Sequence, residues 1–165
     1  MPGFHSASEY TKTCLVLLLA TAAVLAVSYG APYWTTTADG HSGLWWGCRW
    51  DICYMRWDYW TSAWVKATQA FMTMAIITVV FAILCLGAFI YQEYFYEDKR
   101  MVALSMILTF ATSLFIMVAV FTWASNEHYG SGEVLNWPFA LACACCLTSF
   151  VTGWFLFMEL RRPDK

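Results

Sequence analysis

Charged residues fall in clusters along this 165-residue chain and leave four long uncharged runs between them. The runs are Thr13–Ala38, Ala67–Gln92, Met101–Asn126 and Val134–Met158, each about 25 residues. A helix needs about 20 apolar residues to span a bilayer. In lipid every backbone N–H and C=O must be paired within its own segment, which a helix achieves. The pattern predicts four membrane-spanning helices near residues 13–31, 67–91, 102–124 and 138–158. Two outer loops, over 32–65 and 125–136, and a short inner loop from Gln92 to Arg100 connect them.

The first outer loop changes period. Pro32 ends the first helix, with Tyr33 and Trp34 at interface depth, and Ala38-Asp39-Gly40 reads as a turn. From Trp45 to Tyr54, apolar side chains at 46, 50, 52 and 54 are broken by Arg49 and Asp51. Aromatic, alternating positions of this kind predict a twisted hairpin, hence a small antiparallel sheet. The second outer loop, with Gly130-Ser131-Gly132, reads as a simple turn. Trp137-Pro138 opens the fourth helix, with proline placed where its missing N–H costs little.

Composition sharpens this picture. The chain is 61% hydrophobic and 12% charged, against about 25% charged in a soluble domain, so its solvent is lipid. There is room for one membrane domain over residues 1–165. A net charge of −2 excludes nucleic acid as an expected partner. Lys12, Lys99, Arg100, Arg161, Arg162 and Lys165 fall on one side of the predicted topology; Arg49, Arg56 and Lys66 fall on the other. The positive-inside rule then puts both termini in the cytoplasm and the Trp-rich loop outside. The first run also has a cleaved signal peptide as its alternative, with Ser28-Tyr29-Gly30 at cleavage spacing; a retained signal-anchor helix is the expectation.

Small residues recur at four-residue spacing on two helices: Ala22, Ala26 and Gly30 on the first, Cys145, Ser149 and Gly153 on the fourth. Such ridges let helices approach closely. They are expected to pack within the bundle, with dimerisation as the alternative for the first. Ser105, Thr109 and Ser113 lie on one stripe of the third helix, where hydroxyls bond to their own backbone or to a neighbour.

Candidate chemistry is concentrated in the first loop. Cys48 and Cys53 would face an oxidising compartment, so a disulfide is expected. The alternative, a metal site, would need two more ligands, with only His41 nearby. Cys14, Cys85, Cys143, Cys145 and Cys146 lie in membrane runs and read as small apolar residues. Cys14 also sits at the cytoplasmic edge, where palmitoylation is the alternative. Seven of the ten tryptophans lie between Trp34 and Trp64. Trp34, Trp64, Trp123 and Trp137 read as an interfacial aromatic belt. Trp45, Trp46, Trp50, Trp57 and Trp60 exceed what a small sheet can bury. Trp46, Trp50, Trp57 and Trp60 are the candidate contact surface, toward a partner or the bilayer. Trp45, Trp50 and Trp57 each have Cys or Trp three residues on, a pattern for carbohydrate attachment to the indole. There is no Asn-x-Ser/Thr acceptor.

No Asp, Glu, Lys, Arg or His lies in the four membrane cores. Intramembrane charge marks ion and proton pathways, so a pump, an ion-coupled transporter and an intramembrane protease are not expected. His5, His41, His128 and the pair Glu127-His128 read as solvated loop residues without a nucleophile. No cofactor, metal or enzymatic activity is expected.

The motif Gly43-Leu44-Trp45-x-x-Cys48 with Cys53, and Trp34 upstream, resembles the signature of the claudin, peripheral myelin protein and epithelial membrane protein superfamily. Four spans, inside termini and a long first outer loop also match. The four-residue gap between the cysteines and Ala67-Thr68-Gln69-Ala70-Phe71-Met72 look most similar to the lens fibre membrane intrinsic protein branch. That family usually carries arginine where this chain has Gln69. The outer loops are shorter than in claudins, and the tail lacks their scaffold-binding ending. The resemblance implies a left-handed four-helix bundle with a small outer sheet closed by Cys48–Cys53. It also implies roles in adhesion, membrane organisation or regulation of a partner channel. The leading expectation is a structural tetraspan protein of cell–cell contacts at the plasma membrane, meeting itself or a relative in cis or trans. The alternative is an auxiliary subunit of a channel or receptor.

Overall fold

The computed structural model describes residues 8–50, 52–56, 61–91, 99–126 and 134–161. Four helices, α1 (Glu9–Gly30), α2 (Ala63–Tyr91), α3 (Lys99–Asn126) and α4 (Trp137–Leu160), are long and apolar enough to cross a membrane. The first three begin earlier than the uncharged runs predict, because charge is excluded from lipid but not from a helix, while α4 begins at Trp137 as its sequence predicts. Thus Glu9 and Lys12 form an ion pair (2.8 Å) in the first turn of α1, and Lys66 sits inside α2. Ser8 caps α1 by accepting from the Thr11 N–H, and Asn136 caps α4 by accepting from the Trp137 N–H.

Buried positions recur in alternating three- and four-residue steps. On α3 they run Val102, Ser105, Thr109, Thr112, Ile116, Ala119, Trp123; on α4, Pro138, Ala142, Cys145, Ser149, Thr152, Leu156. A 3.5-residue period is the seam of left-handed supercoiled packing. Neighbouring helices pack as α2–α3, α3–α4, α4–α1 and α1–α2, closing a ring.

Lipid tails are as apolar as leucine, so helices in a bilayer need packing and hydrogen bonds to associate. Hydroxyls supply them. Thr21 and Thr148 share a hydrogen bond (3.1 Å), and Ser28 donates to the Pro138 carbonyl (2.7 Å), joining α1 to α4. Thr78 and Thr112 (2.8 Å), and Ser105 to the Ala82 carbonyl (3.0 Å), join α2 to α3. Ser113 donates to the Cys146 carbonyl (3.0 Å), tying α3 to α4. Of the predicted hydroxyl stripe, only Thr109 bonds back to its own helix. Cys14 is buried, its thiol toward the Thr152 carbonyl, so it packs rather than offering a site for acylation.

Between α1 and α2 the chain forms β1 (Thr35–Thr37), β2 (Gly40–Ser42), β3 (Trp46–Arg49) and β4 (Ile52–Met55). A fifth strand, β5 (Val134–Leu135), pairs antiparallel with β1, giving the order β4-β3-β2-β1-β5. The second loop is therefore not a simple turn at its end. Val134 and Leu135 complete a sheet begun in the first loop, and the backbone N–H of Asn136 donates to the Trp34 carbonyl (3.0 Å). Gly130, Ser131 and Gly132 lie outside the described residues.

Candidate functional site

Each strand of the main sheet has one end rooted on the bundle and the other at a turn. The rooted ends hold the signature residues. Gly43 is buried so tightly that a Cβ there would lie 2.7 Å from Pro32 Cα, so only glycine fits. Leu44 is fully buried in the same core as Leu18, Met72 and Ile116. Trp45 packs edge-on against Tyr29, ring centroids 5.3 Å apart. The Gly-Leu-Trp sequence is thus a close approach, a plug and a brace in succession.

Trp34 and Trp123 overturn the aromatic-belt reading at those positions. Both are 0% exposed, 5.1 Å apart between centroids, with Trp64 edge-on against Trp123 at 5.3 Å. Trp34 Nε1 donates to the Ser28 carbonyl (2.8 Å), and Trp123 Nε1 donates to Thr35 Oγ1 (3.0 Å). A tryptophan at the end of an apolar run faces lipid only if nothing covers the helix end; here the sheet covers it, and the indoles become its footing. Trp137 does face outward.

Sequence reasoning missed Gln69 as a site residue. It is only 7% exposed, and its Nε2 donates to the Leu44 carbonyl (2.6 Å) and the Arg56 carbonyl (2.7 Å). The amide takes both ends of the β3–β4 hairpin and fixes them to α2. The signal was a lone amide near the start of an apolar run. Arg56 adds a second tie: its guanidinium donates to the Gly43 carbonyl (3.2 Å) and lies 5.7 Å over the Trp123 ring.

At the opposite end, Cys48 and Cys53 face each other across β3 and β4 and are joined by a disulfide. His41 sits opposite Cys48 on β2, and its ring lies 4.3 Å from that of Tyr33 between centroids. The turn after β3 begins at Trp50, the one non-glycine residue among those described with positive φ (55°). Its N–H donates to the Asp39 carbonyl (2.8 Å), joining the two turns of the sheet. A bulky residue in this backbone region is uncommon, and Trp50 is 74% exposed. Along β3 and β4, Trp46, Ile52, Tyr54 and Met55 are also exposed. Trp57 and Trp60 lie outside the described residues, as do His5, Glu127 and His128.

The small-residue ridges divide. Cys145, Ser149 and Gly153 are buried, and a Cβ at Gly153 would lie 3.0 Å from the Phe110 ring, so this ridge is a seam within the bundle. Ala22 is half-buried, whereas Ala26 and Gly30 face outward, and a Cβ on Gly30 would meet nothing within 4 Å. The stripe that α1 buries is instead Cys14, Leu18, Thr21, Leu25 and Ser28.

Four apolar helices carrying a disulfide-closed sheet at one end, tied down by buried tryptophans, define a tetraspan membrane protein. The PMP-22/EMP/MP20/Claudin family profile matches residues 11–156, and the chain belongs to that family. It is similar to epithelial membrane protein 1 of Mus musculus (30% identical, covering 89% of this chain and 94% of that one). The Rattus norvegicus protein of the same name is 31% identical at the same coverage. The human lens fiber membrane intrinsic protein is 25% identical, over 83% of this chain and 81% of its own.

Proposed function

We propose that this chain is a structural, adhesive tetraspan protein of cell–cell contacts. In this reading the sheet lies outside the cell, both termini lie in the cytoplasm, and the β3–β4 hairpin meets a partner on an apposed plasma membrane. The carrying observation is Trp50, an indole held exposed at the tip of a disulfide-closed hairpin in a backbone conformation its side chain disfavours. Strain of this kind, retained where a glycine would relieve it, marks a side chain kept for contact. The disulfide favours an oxidising, extracytoplasmic side for the sheet.

The test is aggregation of otherwise non-adherent cells expressing the protein. Wild type is expected to cluster cells. Trp50→Gly, which relaxes the backbone while deleting the indole, should reach the surface and fail to cluster them. Equal clustering by the variant at matched surface levels would sink the reading. The outward Ala26 and Gly30 favour a second reading, an auxiliary subunit that docks a channel or receptor in the same membrane along α1. There, native crosslinking should capture a larger membrane protein, and Ala26→Leu should release it.

A further inference from the structure

The most exposed apolar side chains of the sheet stand at the turn of the β3–β4 hairpin, Trp50 at 74% and Ile52 at 72%. The register assigns the other exposed groups of the hairpin to both of its faces. Trp46 opposes Met55, with the Cys48–Cys53 bond next on that face. On the other face Tyr54 opposes Gly47 and Ile52 opposes Arg49. Tyr54 leans over the bare Gly47, since a Cβ there would lie 3.0 Å from its ring. An antiparallel pair usually divides into one apolar and one polar face. Here apolar groups wrap the hairpin and culminate in an indole at its convex end.

We propose that this tip enters the outer leaflet of the apposed phospholipid bilayer, so that what the hairpin meets is the lipid itself. This rests on the adhesive reading and names its partner. Area favours lipid over protein. An aromatic side chain covers about 150–250 Å², so Trp50 with Ile52 offers roughly 300 Å². A stable protein pair takes about 800 Å² from each side. A bilayer sets no such requirement, because it closes around a convex tip on both faces and because many copies in one membrane engage the next together.

Position and chemistry agree. Trp45 is braced at the rooted end against Tyr29; Trp50 follows five residues later, so at about 3.3 Å per residue it stands roughly 16 Å from that footing. The Trp50 N–H joins the Asp39 turn, which steadies the tip from the neighbouring hairpin. Indoles collect where headgroups meet acyl chains, with the ring in the apolar part and the N–H among polar groups. Arg49, exposed beside the tip, can reach a lipid phosphate. In sequence Arg49 is outnumbered by Asp39 and Asp51, so attraction to an anionic surface does not drive the contact. The ligand is a zwitterionic bilayer, held by apolar burial at headgroup depth.

Protein-free vesicles separate this contact from any protein pairing. Immobilised liposomes bearing the full-length protein are mixed with dye-labelled phosphatidylcholine vesicles, and the captured dye is measured. Wild type should capture vesicles, with no loss at high salt, because salt screens only charge. Trp50→Gly should capture at least about tenfold fewer, the scale set by one large apolar side chain. Ile52→Asp should do the same while keeping the fold and the Cys48–Cys53 bond, because its carboxylate opposes Arg49 across the hairpin, a favourable pair. Wild-type levels of capture by both variants would overturn the tip as the site. Capture of anionic vesicles alone, abolished by salt, would overturn the apolar mechanism. Wild-type protein that clusters cells yet captures no vesicles would overturn the lipid partner and leave adhesion standing. Failure of both clustering and capture, at full surface levels, would overturn the adhesive reading as well.

Discussion

Replacing Gln69 by methionine isolates the joint between sheet and bundle. The two side chains are similar in volume, so the change opens no large cavity and deletes two short hydrogen bonds, to the carbonyls of Leu44 and Arg56. Losing a neutral bond costs about 0.5–1.5 kcal/mol net, and an acceptor left dry costs about 1–3 kcal/mol. The Leu44 carbonyl is buried; the Arg56 carbonyl is part-buried and regains some water. The sum is roughly 3 kcal/mol, which corresponds to a melting temperature lowered by roughly 6–12 °C for a chain of this size. Thermal unfolding of the purified protein in detergent reads this directly, and retention inside the cell reads it indirectly. Gln69→Arg should preserve both, because a guanidinium carries enough donors to serve two carbonyls. A Gln69→Met variant that melts within about 1 °C of wild type would refute the claim that this amide holds the hairpin.

Gly43→Ala should impair surface delivery and lower the melting point, since the added methyl meets the backbone of Pro32 and overpacking costs about 1–3 kcal/mol. Trp34→Phe keeps an aromatic ring but orphans the Ser28 carbonyl, at about 1–3 kcal/mol, and leaves a void where the rest of the buried indole was, so the same melt should fall by more than the lost bond alone would lower it. Paired Cys48→Ser and Cys53→Ser changes should cost about 2 kcal/mol by loop closure; the protein should still fold but lose clustering. Gly153→Leu should collapse expression by clashing with Phe110, whereas Ala26→Leu should fold normally, which makes Ala26 the clean probe of in-plane partners.

The helices were legible because lipid imposes one rule on every residue of a span, and the uncharged runs obey it. Their ends were less so, because Lys66 and Lys99 tolerate helical backbone once past the apolar slab. The hairpin around Cys48 and Cys53 could be read from alternation and turn residues. Its footing could not. Trp34 and Trp123 sit at run ends, where an indole facing lipid and an indole facing a covering sheet look alike in one dimension. Strand β5 was hidden for a related reason: two residues, Val134 and Leu135, carry no period of their own and form a strand only because β1 offers an edge. Gln69 stood out as a departure from a family pattern, and only the three-dimensional convergence of Leu44 and Arg56 upon it gives that departure a task.

The union of β1 with β5 sets a schedule for biosynthesis. Asn136 Nδ2 donates to Thr36 Oγ1 across 100 residues, and Trp123 reaches Thr35 across 88. Until the last quarter of the chain has been made and inserted, the first loop lacks its outermost strand, and Trp34 lacks both the Trp123 and Phe139 rings that enclose it. The nascent protein therefore displays an apolar, tryptophan-bearing platform that vanishes only when all four helices are in place. A fault in α3 or in α4 leaves the same surface uncovered, so defects in two separate helices have one structural consequence in the first loop.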